Sequence, residues 1–146
     1  MIPDVNVLVA ASRSDHAHFR IAAAWLAQAR KDCAAGASGL RLLPMVTASF
    51  LRLVTNPKIF AEPTPTMIAV EFIDSILVTP HADMPALGAE WPLLRQWCIE
   101  KNLKGNALPD AWLAAAVVQL GGHLVTFDAG FSALLLSRQV TLLRTA

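Results

Sequence analysis

Short apolar runs alternate with apolar residues at helical spacing along almost the whole chain, and few folds accept that alternation. Residues 3–10 read as a short, β-branched, continuously apolar strand of the kind buried in a parallel sheet. Ser14 or Asp15 caps a helix to about Arg30, with His18, Ile21, Ala22, Trp25, Leu26 and Ala29 at helical spacing. Leu40–Leu43 reads as a second strand, and Ala48–Val54 as a helix stopped by Asn56 and Pro57. A helix from about Met67 to Ile76 leads to a third strand at Leu77–Thr79, closed by Pro80. A helix over Ala89–Lys101 and a Gly105-Asn106 turn precede a helix from Asp110 to Leu120, with Pro109 in its first turn. A strand at His123–Phe127, a short helix at Ala129–Leu135 and a strand at Val140–Leu143 complete the pattern. It predicts an α/β fold of three layers: a central, mostly parallel sheet of four to five strands, flanked by helices, in one domain over residues 1–146.

Three aspartates stand at the edges of these core-bound segments. Asp4 opens the first apolar run, Asp110 the apolar helix, and Asp128 follows the strand ending at Phe127. Each has an ordinary explanation alone: a solvated N-terminal residue, a helix-start acid, an Asp-x-Gly turn with Gly130. Gathered together they would be costly to bury without a neutralising cation. Ligands of open α/β sheets bind at the carboxyl ends of strands. Asp128 satisfies that rule; Asp4 does so only if the first strand is very short and residues 5–10 leave it.

Composition removes several alternatives. The chain is 55% hydrophobic, yet no apolar run approaches the roughly 18–20 residues that span a bilayer. No basic segment precedes the first apolar residues, so the expected compartment is the cytoplasm. The apolar surplus suits a dimer or partner interface. A net charge of +1 neither demands nor forbids a nucleic-acid partner. Cys33 and Cys98 lack CxxC spacing and read as small hydrophobes. His16, His18, His81 and His123 show no ligand spacing, and His16 and His18 are expected on opposite sides of a helix. No Gly-x-Gly-x-x-Gly follows the first strand, which argues against a dinucleotide site.

Two segments are informative together: Pro3-Asp4-Val5-Asn6-Val7-Leu8, and Gly105-Asn106-Ala107-Leu108-Pro109-Asp110-Ala111-Trp112, the latter followed by Gly121-Gly122-His123-Leu124-Val125-Thr126-Phe127-Asp128-Ala129-Gly130-Phe131. Between them lies Phe50-Leu51-Arg52-Leu53-Val54-Thr55-Asn56-Pro57. In order and spacing these resemble the PIN-domain ribonucleases, and within them the VapC-type toxins of toxin–antitoxin modules. The resemblance runs from residue 3 to about residue 131.

It implies an endoribonuclease that uses Mg²⁺ or Mn²⁺ on structured RNA, tRNA or rRNA, forms a homodimer and is held inactive by a VapB-type antitoxin. It also implies that Asp4, Asp110 and Asp128 are catalytic residues and metal ligands. Ser49 stands where the family has a glutamate, which leaves three carboxylates, enough for one well-hydrated ion. The same departure admits a PIN fold that binds RNA or antitoxin with little or no cutting. Supporting roles fall to Asn6, which would brace Asp4 or bond a water on the metal, and to Asn106, which would orient Asp110 or bind phosphate. Arg52, three residues after Ser49, would pair with a site carboxylate or RNA phosphate, and Lys104 is the expected RNA contact.

Overall fold

A computed structural model describes residues 1–144. Thr145 and Ala146, the last two residues of the expected domain, lie outside the described residues. The elements are β1 (Ile2–Pro3), α1 (Val5–Ser12), α2 (Phe19–Ala34), β2 (Leu40–Arg41), α3 (Pro44–Val54), α4 (Thr66–Leu77), β3 (Ala82–Asp83), α5 (Trp91–Lys101), α6 (Ala107–Gln119), β4 (Leu124–Thr126) and β5 (Val140–Leu142). Two short 3-10 turns, Ala129–Ala133 and Ser137–Gln139, sit between β4 and β5. Among the described residues, no helix is long and apolar enough to cross a membrane.

Among the described residues, all strand pairs are parallel. β4 lies between β1 and β5, with Ile2 opposite Leu124 and Leu124 opposite Val140. β2 pairs with β3, Leu40 opposite Ala82. The Arg41 N–H donates to the Met1 carbonyl at 3.0 Å and lays β2 beside β1. Two sheets, β1-β4-β5 and β2-β3, are thereby laid side by side in the order β3-β2-β1-β4-β5, and the order reverses between β1 and β4. That reversal is where a parallel α/β sheet opens a crevice for ligands.

The first segment departs from its expected strand. Only Ile2 and Pro3 are extended, and Val5–Ser12 is a helix. Val7, Leu8, Val9, Ala10 and Ala11 are all buried, because α1 packs against α2, α3 and β4 together. A helix covered on every side shows no helical period, so its sequence reads as a buried strand. The consequence is favourable: Asp4 falls at the carboxyl end of β1.

Further boundaries move, and α3 begins at Pro44, four residues before the expected Ala48. α2 begins at Phe19, and Ser14 and Asp15 belong to the turn before it. Leu77 ends α4, so the expected strand Leu77–Thr79 is absent; β3 is the two-residue pair Ala82–Asp83, reached through His81 in a left-handed conformation at φ 69°. α6 starts at Ala107, three residues early. Pro109 still lies in the first turn, where amide hydrogens have no partner within the helix.

Candidate functional site

Each aspartate is placed by the end of one element. Asp4 joins β1 to α1: its N–H donates to the Val125 carbonyl at 2.9 Å, and its Oδ1 accepts the Val5 N–H at 2.7 Å as the N-cap of α1. Asp110 projects from the first turn of α6. Asp128 follows β4 and caps the turn beyond it, Oδ1 accepting the Gly130 N–H at 2.8 Å. All three line one cleft of about 390 Å³, with Val5, Asn6, Val9, His16, Ser49, Arg52 and Leu53. The cleft opens at the β1–β4 reversal.

Thr126 ties this corner together. Its hydroxyl donates to Asp4 Oδ2 at 2.7 Å. It accepts the Asp128 N–H at 3.0 Å and the Asn6 side-chain amide at 3.3 Å. Two N–H donors occupy the hydroxyl oxygen, so its proton goes to an acceptor, which Asp4 provides as a carboxylate. Asn6 Oδ1 closes the web by accepting the Phe127 N–H at 3.3 Å. Thr126 is wholly buried, and sequence reading passed over it as one more apolar-strand residue. Its place two residues before Asp128, on the same strand face, was the available signal.

The carboxylates feel one another. Burial pushes the Asp4 carboxyl above its usual value of 3.8. The Thr126 and Val5 bonds oppose that shift, and the charges of Asp110 and Asp128 add to it. Partial desolvation also raises Asp110, with the Asp128 charge adding. Among the described residues, no three His, Cys, Asp or Glu side chains stand close enough to hold one ion directly. The acids surround a shared volume instead of touching a common point.

A pH dependence follows. Both raised carboxyls take up a proton on folding between their unfolded and folded pKa values. Their contribution to stability is complete below about pH 3.8 and is lost as pH rises through the raised folded values. At neutral pH the metal-free protein therefore carries the repulsion. Asp110→Asn is expected to flatten this part of the Tm–pH profile, measured in chelator by scanning calorimetry. An Asp110→Asn profile parallel to wild type would remove the mutual repulsion.

The other expected site residues divide. Asn6, Ser49 and Arg52 line the cleft; Ser49 is half-buried, Arg52 is exposed, and neither side chain has a hydrogen bond or ion pair among the described residues. Asn106 and Lys104 are exposed and do not line it. Asn106 occupies the N-cap position of α6 without a side-chain cap bond. His16 was not expected and does line it. The anticipated helix that would separate His16 from His18 is a turn, and their rings lie 5.7 Å apart.

Ser49 also borders a second, apolar cleft of about 600 Å³, lined by Met45, Trp91, Leu94, Cys98, Leu108, Pro109 and Trp112. Glu90, buried at the start of α5, accepts the Trp112 indole N–H at 2.8 Å and the Gly88 N–H at 2.7 Å, fixing one wall. Trp91, Leu108 and Trp112 remain exposed there.

No protein-family model matches the chain. Individual relatives do. The chain is 37% identical over 131 residues to Ribonuclease VapC25 of Mycobacterium tuberculosis, covering 88% of this chain and 89% of that protein. Ribonuclease VapC31 of the same organism matches with the same identity and coverage. Ribonuclease VapC43, also of M. tuberculosis, is 35% identical over 133 residues, covering 88% of this chain and 86% of its own. Among solved structures, VapBC2 from Rickettsia felis, bound to a DNA fragment from its promoter, superposes with a TM-score of 0.66 over 98% of both chains. At 16% identity that likeness concerns the fold. Carried by relatives above a third identical over nearly their full length, this chain belongs to the VapC ribonucleases, a family of PIN-domain toxins.

Proposed function

We propose that this chain is a single PIN domain acting as a metal-dependent endoribonuclease, the toxin of a type II toxin–antitoxin module. The observation that carries the reading is the placing of Asp4, Asp110 and Asp128 around one cleft at the β1–β4 reversal. Catalytic and metal-binding roles are assigned to these three. Their oxygens suit a hard divalent cation, Mg²⁺ or Mn²⁺. A magnesium-type ion keeps several waters and takes one or two carboxylates plus substrate phosphate, so it does not require all three acids at bonding distance. Such an ion, when bound, supplies charge neutralisation and a more acidic water for hydrolysis.

The chain's own residues supply the rest. Asp4 is held by Val5 and Thr126, so its carboxylate is pre-oriented. Asn6 braces the loop carrying Asp128 through the Phe127 amide. Arg52, exposed on the cleft wall, offers a fork of donors to an RNA phosphate. Lys104 and Asn106, outside the cleft, would meet the RNA strand beyond it. Looped, unstacked segments of tRNA or rRNA in the cytoplasm are the substrates this shallow site suits. A VapB-type antitoxin is the proposed partner, and the exposed apolar cleft beside Ser49 supports it. A homodimer is proposed on the exposed Met67, Ile68 and Val70 of α4.

A second reading, an RNA- or antitoxin-binding fold with little turnover, rests on Ser49 in place of a fourth acid on the cleft wall. One experiment separates them. Purified toxin is incubated with structured RNA in Mn²⁺, in Mg²⁺ and in chelator, and Mn²⁺ binding is followed by calorimetry. Cleavage is expected with either metal and none in chelator. RNA binding without cleavage at millimolar Mn²⁺ would favour the second reading.

A further inference from the structure

His16 is a hydrogen-bond donor of the cleft wall whose ring and backbone are both held in place. Its Nδ1 accepts the backbone N–H of His18 at 3.0 Å, so in the neutral ring the proton resides on Nε2. Nε2 has no partner among the described residues. The backbone is clamped at both ends: His16 N–H donates to the Arg13 carbonyl at 3.0 Å, and the His16 carbonyl accepts the Phe19 N–H at 3.1 Å. Arg13 is itself buried, donating to Asp15, Thr64 and the Glu62 carbonyl, with its guanidinium 3.8 Å from the Phe60 ring centroid. On the other flank, the His18 ring stacks on Phe127 at 4.8 Å, next to Asp128.

An acidic cleft that takes a polyanion needs donors placed among its acids. Of the other donors here, Asn6 gives one of its two amide hydrogens to Thr126, while Arg52 and Ser49 have no partner that fixes their position. His16 combines a free ring N–H with a frame fixed at the ring and at the backbone, which lowers the ordering cost of the contact. We propose that His16 is a substrate-positioning residue, its Nε2–H donating to a non-bridging phosphate oxygen of RNA lying in the acidic cleft. This rests on the RNA-cleaving reading above.

The donor stays neutral. Protonating Nδ1 would break the bond from the His18 amide. Burial disfavours the imidazolium, as do His18 and Arg13, against the opposing charge of Asp15. Asp4, Asp110, Asp128 and Arg52 share the cleft. His16 therefore holds its phosphate without exchanging a proton with it.

The test measures steady-state cleavage of an RNA oligonucleotide in Mn²⁺ by wild type, His16→Ala and His16→Gln. Equilibrium binding of the same RNA is measured in Asp110→Asn with and without His16→Ala. Loss of one hydrogen bond to a charged oxygen is expected to raise KM and weaken RNA binding about tenfold, with kcat within about threefold. His16→Gln, which returns an N–H near the same place, should recover most of the loss. The kcat profile between pH 6 and 8 should keep its shape. Unchanged KM and RNA affinity in His16→Ala overturns the proposal; so does a large fall in kcat with an altered pH profile, which marks a proton-transfer role. Absence of cleavage by wild type in either metal would count against the nuclease reading, and the binding pair would still decide His16.

Discussion

Asp110→Asn should lower kcat/KM for RNA cleavage by at least about 10³-fold while leaving the protein folded. Asp110 permits this separation because it holds up nothing else. It reaches solvent from the first turn of α6 and makes no hydrogen bond among the described residues. Losing its charge forfeits about 0.3–1 kcal/mol of interaction with the helix dipole. Against that, the repulsion with Asp128 disappears. The metal-free Tm should therefore hold or rise slightly as activity collapses, and circular dichroism should match wild type. Asp4→Asn would be a poorer probe, because an amide at that position competes with Thr126's donors inside the bond web. A cleavage rate near wild type in Asp110→Asn would remove this residue from the chemistry.

The largest structural effect is expected from Thr126→Val, an exchange of nearly equal shape. The hydroxyl's loss strips a buried Asp4 oxygen of its donor and leaves the Asp128 N–H and Asn6 amide without their acceptor. Unmade bonds of this kind cost about 1–3 kcal/mol each, with partial recovery by water near the open cleft, so about 3 kcal/mol overall is expected. For a chain of this size that lowers Tm by about 10 °C. The Thr126 bond is also one of the two that hold the Asp4 carboxyl down. Without it the folded pKa climbs further, and the loss of stability should be greater at pH 8 than at pH 5. Thr126→Ser keeps the hydroxyl and should cost only about 1 kcal/mol for the missing methyl. Equal Tm values for the Val and Ser variants would mean that the bond web carries no stability.

The sequence disclosed the acids more readily than the elements that carry them. Asp4, Asp110 and Asp128 were legible because each interrupts an apolar segment, and a charge at a core boundary needs a reason. β4 and α6 were legible within a few residues, since Leu124–Thr126 is short and apolar and Gly121-Gly122 separates it from the helix. α1 was not, because burial on all sides erased its periodicity. β3 was not, because an alanine and an aspartate on a sheet edge make no apolar run, whereas the Leu77–Thr79 run beside it carries a false one. Lys104 was drawn toward the site by nearness in sequence to Asp110, yet the turn before α6 leaves it outside the cleft. His16 was missed for the converse reason: its place depends on how the α1–α2 turn folds back over β4, a long-range property that one histidine cannot announce.

The pairing of Ile2 with Leu124 has a consequence for the timing of the toxin's birth. Asp4 leaves the ribosome well before its partner Thr126, which is joined to the chain more than a hundred residues later. Contacts of such sequence separation form late and slowly. The acidic cleft is thus in pieces on the nascent chain, its aspartates ungathered until Thr126 and Asp128 have been made.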